Sequence, residues 1–251
     1  MTQSASSPVR RAVILAAGNG DRFQTPARDS KLLQPLLGRP ILLRTLEAAR
    51  DAGVRTVTVV LGYQADRVRA LVQRGAPSGL AVSFAFNRDW ELENGVSALA
   101  ARPFASAGRF ALLMGDHVFE PPVLRRMLHL AAGADDSLLA VDARPATPEQ
   151  AAEATKVRRE GSRIVAIGKD LTDFDALDTG LFVCSPLLFD ALERARAHGD
   201  TTLSGGIREL SARGLMRGAD VRGATWYDID TLADLATAET LLASEPASEV
   251  A

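Results

Sequence analysis

Cysteine and histidine are scarce in this sequence of 251 residues, which contains one cysteine, Cys184, and three histidines. A single cysteine excludes an internal disulfide framework, and three scattered histidines do not complete a Cys/His zinc pattern with it. Cys184 ends the apolar run 181–184, which is typical of a buried structural thiol rather than a reactive one. Disulfide-stapled proteins and zinc modules are therefore excluded as classes.

Excess charge and long apolar runs are missing as well. The net charge is −2, so no global field recruits nucleic acid or an anionic membrane. No apolar run reaches the roughly 20 residues that cross a bilayer. Residues 1–8 are rich in serine and lack the apolar centre of a secretory signal. We therefore expect a cytoplasmic protein with no membrane and no nucleic-acid partner.

The most informative feature that is present is a loop of small residues after an apolar run. Residues 12–15 (Ala-Val-Ile-Leu) are typical of a buried strand, and the glycine-containing residues 16–20 follow them. Such a loop lets backbone N–H groups approach a phosphate, while Arg22 and Lys31 bring positive charge. The combination predicts a site for a nucleoside triphosphate.

Two familiar phosphate loops do not fit this segment. A Walker A loop requires a lysine and then Ser or Thr directly after its second glycine, and Asp21-Arg22 follow Gly20. The dinucleotide fingerprint requires a third glycine, where Phe23 stands, and an acid at the end of the second strand. From the loop alone, a plain glycine turn between a strand and a helix remains the alternative.

Alternating strand-like and helix-like segments predict a parallel α/β core. We expect strands at 11–17, 55–61, 80–86, 109–115 and 137–142, and helices at 40–51, 64–74, 94–101 and 120–132. Further on we expect a hairpin at 155–167, a strand at 179–184, a helix at 186–197, a strand at 221–228 and a closing helix from about Thr231. The predicted fold is a Rossmann-like, mixed but mostly parallel sheet flanked by helices, with a small accessory β-hairpin portion. It forms one domain over 10–243, with disordered tails at 1–9 and 244–251.

Three acidic residues stand at the ends of predicted strands. Asp116 follows the fourth strand, and Asp228 and Asp230 stand at the end of the last one. Because ligands of open α/β sheets bind beyond the carboxyl ends of the strands, these acids should reach the triphosphate. Their mutual repulsion there favours a bound Mg²⁺, which prefers carboxylate and phosphate oxygens. We expect Asp230 to be the ligand and Asp228 to assist; alternatively, Asp230 caps the last helix and Asp228 is the ligand.

The residues around the loop resemble a known superfamily. Residues 15–23 (LAAGNGDRF) and 31–42 (KLLQPLLGRPIL) are similar to the sugar-nucleotidyltransferases, which include the MobA-like NTP transferases. Five later segments resemble the CTP:inositol-1-phosphate cytidylyltransferase branch: 114–119, 154–157, 167–169, 178–182 and 226–231. The resemblance extends from Ala12 to Leu242.

This resemblance implies the transfer of CMP from CTP to inositol 1-phosphate or a close cyclitol phosphate, with Mg²⁺ as cofactor. It assigns Arg22, Lys31 and Asp116 to catalysis, and Asp116, Asp230 and Asp228 to the metal. The implied nucleotide-binding residues are Leu15, Ala16, Ala17, Gly18, Asn19, Gly20, Asn94, Gly95 and Ser97. The implied acceptor-binding residues are Lys156, Lys169, Asp178, Thr179 and Gly180.

Several of these roles have plain structural alternatives. Asn94 can simply cap a helix, Lys156 can be a solvated strand lysine, and Asp178-Thr179-Gly180 can be an ordinary turn. Aromatic residues amount to 5%, which argues against a cage for a choline-type acceptor.

Rival functions are another sugar-1-phosphate, phosphocholine or phosphonate cytidylyl- or uridylyltransferase, and a non-catalytic relative that senses nucleotide sugars. A homodimer is compatible with the sequence, which does not fix the oligomeric state.

Overall fold

The computed structural model describes residues 8–23, 29–131, 136–144 and 152–244. Most of the two expected tails lies outside these ranges. The described strands are β1 Arg11–Ala16, β2 Pro35–Leu36, β3 Arg39–Pro40, β4 Thr56–Leu61, β5 Ala81–Phe86, β6 Phe110–Met114, β7 His117–Phe119, β8 Ser137–Asp142, β9 Lys156–Glu160, β10 Arg163–Gly168, β11 Ala176–Cys184, β12 Met216–Asp220 and β13 Trp226–Asp228. The described helices are α1 Ile41–Ala52, α2 Ala65–Gly75, α3 Asn94–Ala100, α4 Arg102–Ala105, α5 Pro121–Ala131, α6 Leu187–Ala197, α7 Leu203–Ala212 and α8 Leu232–Ser244.

In the described part of the chain, nine strands form one sheet in the order β5-β4-β1-β6-β11-β8-β12-β10-β9. Strands β5, β4, β1 and β6 are parallel, as the alternation of strands and helices predicts. Beyond β6 the sheet is mixed, because β11 runs antiparallel to both β6 and β8. The predicted hairpin is β9–β10, and it forms the far edge of this same sheet.

Helices cover both faces of the sheet, and β1 shows why its residues form an uninterrupted apolar run. Ala12, Ile14 and Ala16 pack into a core with α1, α2 and α5 on one face. Val13 and Leu15 pack into a second core with α3, α4, α6 and α7 on the other face. A strand that is buried on both sides needs apolar residues at every position.

Three elements in the second half differ from the sequence-based expectation. Helix α7 and strand β12 were not predicted. The strand expected at 221–228 forms only at Trp226–Asp228, because the chain turns before it. Arg222 and Gly223 have φ angles of 55° and 82°, which a continuous strand does not allow.

A small two-stranded sheet carries the end of the chain back to the first half. In it β13 pairs antiparallel with β7, so that Asp228 lies opposite His117. Helix α8 follows, and a third apolar cluster holds this corner together. Its buried members are Phe23, Leu36, Ile41, Val118, Ile229 and Ala238. Segments from the beginning, the middle and the end of the domain are thereby fixed beside one another.

Among the described residues, no helix combines the length and the apolar character that crossing a bilayer requires.

Candidate active site

A cleft of about 1180 Å³ opens along the edge of the sheet where β1, β6 and β8 end. Its walls come from the phosphate loop, the start of α3, the loop after β6, the start of β11 and strand β13. This is the edge at which parallel α/β sheets bind their ligands.

Lys31 does not itself line the cleft but lies behind its wall, between two carboxylates that do, those of Asp116 and Asp230. Its Nζ is 2.7 Å from Asp116 Oδ2 and 2.7 Å from Asp230 Oδ1. The lysine is only 8% exposed. Burial alone would lower the pKa of Lys31, but the charges of Asp116 and Asp230 outweigh burial and raise it. Lys31 is therefore a permanent cation, held by acids that stand 85 and 199 positions further along the chain.

The loop before Lys31 is shaped to admit it. Gly20 has a φ of 64°, and a Cβ at this position would lie 3.2 Å from Lys31 Cδ. The positive φ favours glycine, and the missing side chain makes room for the lysine stem. Arg22, two residues later, forms an ion pair with the second oxygen of Asp230. Both predicted cations thus meet on one carboxylate.

His117 joins the other two acids. Its Nδ1 lies 2.9 Å from Asp116 Oδ1 and 3.4 Å from Asp228 Oδ1. Burial would lower the pKa of His117, but Asp228 and Asp116 raise it to about 9. Burial also favours the protonated form of Asp116, yet the charges and hydrogen bonds of Lys31 and His117 lower its pKa. For Asp228, burial raises the pKa to about 6, because the nearby charge of His117 offsets only part of this effect.

The position of His117 depends on a glycine across the cleft. Gly180 has a φ of 72°, and a Cβ there would lie 2.4 Å from His117 Cδ2 and 2.5 Å from its Nε2. No side chain fits between strand β11 and the imidazole. The sequence analysis assigned Gly180 to the acceptor; its contact with His117 gives it a packing role as well.

Asp230 does not cap helix α8, which was one of the alternatives. Thr231 Oγ1 accepts a hydrogen bond from the backbone N of Asp234 at 3.1 Å, and Asp234 Oδ2 accepts one from the backbone N of Thr231 at 2.7 Å. This reciprocal pair is a capping box. Since Thr231 and Asp234 satisfy the helix start, the carboxylate of Asp230 is available to Lys31 and Arg22.

Asp116, His117 and Asp228 present ligand atoms that all lie within 4.8 Å of one another, a spacing that could hold a metal ion. Asp228 Oδ1 is buried and has no hydrogen-bond donor among the described residues. A buried carboxylate oxygen without a donor suits a divalent cation, which replaces the missing hydrogen bond. Both oxygens of Asp230, by contrast, are engaged by Lys31 and Arg22. Both oxygens of Asp116 are engaged as well, by Lys31 and His117. The acids therefore fit a Mg²⁺ ion, and Asp228 Oδ1 is the carboxylate oxygen most accessible to it.

On the nucleotide side, some of the expected residues line the cleft: Leu15, Ala17, Gly18, Asn19, Asn94 and Ser97. Ala16 is buried in the core beneath the loop. Gly95 packs against the loop before α7, where a Cβ would lie 2.5 Å from Thr201 O. Asn94 Oδ1 accepts a hydrogen bond from the backbone N of Leu203 at 2.9 Å, so this side chain links α3 to α7.

On the acceptor side, Lys169, Asp178 and Gly180 line the cleft. Lys156 donates a hydrogen bond to the carbonyl oxygen of Lys169 and thereby supports that loop. Thr179 is fully buried, and its Oγ1 donates to Ala140 O at 2.8 Å. The side chain of Thr179 therefore braces β11 against β8 and has no surface to offer a substrate. Burial raises the pKa of Asp178 to about 6, although the backbone N–H of Gly180 partly offsets this effect.

Four cleft residues have no role among the sequence-based expectations: Asp142, Arg144, Trp90 and Trp226. All four line the cleft. The signal for Asp142 was present, because this residue ends the predicted strand 137–142 just as Asp116 follows the predicted strand 109–115. The sequence carries no comparable signal for Trp226, because the role of this residue depends on a contact with Asp142 that only the fold creates.

A mixed sheet between two helical layers, with a glycine loop and strand-end acids at one edge, defines a nucleotidyltransferase-like α/β fold. The inositol-1-phosphate CTP transferase from T. maritima shares this fold, with a TM-score of 0.82 over 95% of this chain and 96% of that one. The identity between the two sequences is 24%, so this likeness establishes the fold alone.

Residues 12–214 match the MobA-like NTP transferase domain, and the chain belongs to this family of nucleotidyltransferases. It is 37% identical over 242 residues to the Bifunctional IPC transferase and DIPP synthase of Rubrobacter xylanophilus, covering 94% of this chain and 53% of that protein. It is 41% identical over 140 residues to the CMP-5'-(3-aminopropyl)phosphonate synthase of Streptomyces rubellomurinus, covering 55% of this chain and 21% of that protein. The chain thus spans about half the length of the first of these relatives.

The raised pKa of His117 predicts a pH-dependent stability. A histidine whose pKa rises from 6.5 in the unfolded chain to about 9 in the folded one stabilises fully below pH 6.5, and this contribution is lost as the pH rises through 9. The free energy of unfolding of the metal-free protein should fall by about 3 kcal/mol over this window. Denaturant titrations between pH 6 and 10 measure it.

His117→Gln should remove most of this slope, because glutamine does not titrate. His129→Gln, on the exposed surface of α5, is the matched control and should keep the slope. If the wild-type protein and both variants share one pH profile, His117 is not the titrating group.

Proposed function

We propose that this chain is a Mg²⁺-dependent cytidylyltransferase that converts CTP and inositol 1-phosphate, or a close cyclitol phosphate, into CDP-inositol and pyrophosphate. The observation that carries the proposal is the position of Lys31, 2.7 Å from both Asp116 and Asp230. A phosphate-binding loop and strand-end acids converge there on one cleft. Such a meeting of cations and carboxylates is what a metal-bridged triphosphate requires.

The choice of CTP and of inositol 1-phosphate rests on likeness to other proteins. The curated relative with 37% identity is named an IPC transferase and DIPP synthase, and the T. maritima neighbour is named an inositol-1-phosphate CTP transferase. The relative from Streptomyces, whose name contains CMP and a phosphonate, supports cytidylyl transfer but a different acceptor. A phosphonate acceptor is therefore the second candidate.

In the proposed reaction an oxygen of the acceptor's phosphate attacks the α-phosphorus of CTP. A new P–O bond forms, the bond from the α-phosphorus to the bridging oxygen breaks, and pyrophosphate leaves with that electron pair. A phosphate monoester is already an anion near neutral pH, so no general base is needed. Catalysis then consists of alignment and charge neutralisation.

In the proposed reaction Arg22 and Lys31 neutralise charge on the triphosphate. Without substrate both are bound to Asp230. When the triphosphate enters, the two cations exchange this carboxylate for phosphate oxygens, and Asp230 becomes free to join Asp116 and Asp228. Asp116 and Asp228, with Asp230 after this exchange, would hold Mg²⁺. The ion, when bound, withdraws charge from the α-phosphate and the attacking phosphate.

A panel assay tests the proposed function. The purified protein is given each of the four nucleoside triphosphates with inositol 1-phosphate, glucose 1-phosphate, phosphocholine or an aminoalkylphosphonate, and pyrophosphate release is measured. We expect release with CTP and inositol 1-phosphate at a rate well above all other pairs. Release only with UTP and a hexose 1-phosphate, or only with a phosphonate, would replace the proposed acceptor. No release with any pair would favour a non-catalytic relative.

Asp116→Asn should lower kcat by roughly 1,000-fold or more, since a metal site loses several kcal/mol of charge stabilisation. The fold should persist, because Lys31 keeps Asp230 as a partner. Thermal melting reports the metal directly: the wild-type Tm should rise with Mg²⁺ and CTP, and that of the variant should not. Asp190→Asn, on the outer surface of α6, is the control. Full activity of Asp116→Asn at saturating Mg²⁺ would refute the metal assignment.

Lys169→Ala should raise the KM for the acceptor by about tenfold and leave the KM for CTP nearly unchanged, because Lys169 lies on the acceptor side of the cleft. Asp170→Ala, its exposed neighbour, should change neither constant. Steady-state kinetics with each substrate varied in turn separates the two effects. A larger change in the KM for CTP would move Lys169 to the nucleotide.

A further inference from the structure

A further ion pair lies in the cleft, and the proposed reaction gives it no role. Asp142 ends strand β8, and Arg144 follows two residues later. The Arg144 guanidinium binds Asp142 as a fork, with Nε 3.0 Å from Oδ1 and Nη2 2.7 Å from Oδ2. The backbone N of Arg144 also donates to Oδ1 at 3.0 Å. These three bonds fix the direction of the arginine side chain.

Trp226 adds a third partner. Its Nε1 donates a hydrogen bond to Asp142 Oδ2 at 2.9 Å. Trp226 stands two residues before Asp228 on strand β13, and residues two apart on a strand lie on the same face. The Asp142–Arg144 pair is therefore tied to the strand that supplies a metal-site acid.

Asp142 is an anchor and not a ligand for substrate. Its side chain is 10% exposed, and both of its oxygens already accept hydrogen bonds from Arg144. Burial would raise the pKa of Asp142, but the hydrogen bonds from Arg144 and Trp226 lower it, so the carboxylate stays charged. Asp142, which stays charged and has hydrogen-bond donors on both oxygens, therefore serves to hold the guanidinium of Arg144 in place.

Arg144 retains donors that point to no strong partner among the described residues. Its side chain is 53% exposed and lines the cleft. Among the described residues, the contact of Nη1 is with Gly223 O at 3.4 Å, and the second contact of Nη2 is with Ala224 O at 3.5 Å. Both distances are long for N–H···O bonds. The guanidinium is thus held along one edge and still offers N–H groups to a ligand.

The sheet places this arginine beside the expected acceptor residues. Leu177 on β11 pairs with Asp142 on one side and with Lys156 on the other. Asp178 follows Leu177 and lines the cleft. The Asp142–Arg144 pair and the Lys156–Lys169 contact therefore flank the start of β11.

We propose that Arg144 binds the phosphate group of the acceptor, and that Asp142 and Trp226 are positioning residues that orient it. A guanidinium offers paired donors that match phosphate oxygens, and an anchored one loses little freedom on binding. The proposal rests on the proposed function only in that the acceptor carries a phosphate or phosphonate group. It does not depend on which polyol carries that group.

Arg144→Gln tests the proposal directly. The KM for every phosphorylated acceptor that the wild-type enzyme uses should rise by about 10- to 30-fold, and the KM for CTP should change less than about twofold. Arg144→Lys should recover part of the loss, because the charge returns without the fork. Arg158→Gln is the matched control: this arginine is also paired with an aspartate, Asp173, but it does not line the cleft. Thermal melting checks that each variant is folded.

The positioning residues are tested by two smaller changes. Trp226→Phe keeps an aromatic ring and removes the N–H donor, and Asp142→Asn removes the charge. Each should raise the acceptor KM by about three- to tenfold while leaving the KM for CTP unchanged. In a background of Arg144→Gln, neither change should have a further effect on the acceptor KM, because the residue that they orient is gone. Independent, additive effects would overturn the positioning role.

A binding experiment separates this inference from the proposed function. Calorimetric titration of the wild-type protein and of Arg144→Gln uses three ligands: inositol 1-phosphate, inorganic phosphate and unphosphorylated inositol. We expect Arg144→Gln to bind the two phosphate-containing ligands more weakly than the wild-type protein and to bind inositol with unchanged affinity. A loss of affinity for inositol alone would mean that Arg144 contacts hydroxyl groups. Equal affinities of both proteins for all three ligands would refute the role of Arg144 in phosphate binding. If CTP and inositol 1-phosphate give no pyrophosphate but phosphate binding still depends on Arg144, only the proposed function fails.

Discussion

The active-site region depends on one buried ammonium group, that of Lys31, and on the acids that keep it charged. Removing a charge from water is costly unless opposite charges replace the lost hydration. Asp116 and Asp230 do so for Lys31, and His117 and Arg22 in turn compensate the two acids. The four segments that carry these residues are therefore held together by electrostatics as much as by apolar packing. Under the proposed function a metal-bound triphosphate needs these same charges, so stability without substrate and binding of substrate would draw on one set of groups.

Apolar packing supplies the precision that charge alone cannot. The third cluster, which contains Phe23, Val118 and Ile229, fixes the phosphate loop, strand β7 and strand β13 beside one another. Pairing between β13 and β7 then places Asp228 opposite His117. The capping box of Thr231 and Asp234 completes helix α8 without using Asp230. The apolar cluster, the strand pairing and the helix cap are each local contacts. Together they bring acids from the middle and the end of the chain to a lysine near its beginning.

Much of the fold could be predicted from the sequence, because the strands of the parallel half are apolar runs and the helices between them are amphipathic. The meeting of Lys31 with Asp116 could also be predicted, since both follow strands that end at one edge of the sheet. The ion pair of Asp142 with Arg144 and its bond to Trp226 could not, because Asp142 and Trp226 are 84 positions apart and meet only through β13. The strand expected at 221–228 was too long because Arg222 and Gly223 turn the chain, and positive φ angles leave little trace in an apolar pattern. Gly95 and Thr179 have packing contacts that only the folded neighbours reveal.

The order of these segments along the chain has a consequence for synthesis on the ribosome. The phosphate loop and the parallel strands leave the exit tunnel before the segment that contains β13, and their apolar contacts can form while that segment is still being made. Lys31 at that stage has Asp116 but lacks Asp230, and His117 lacks Asp228. A nascent domain can therefore acquire its scaffold early, yet its cleft stays electrostatically incomplete until the segment containing β13 and Asp230 has emerged.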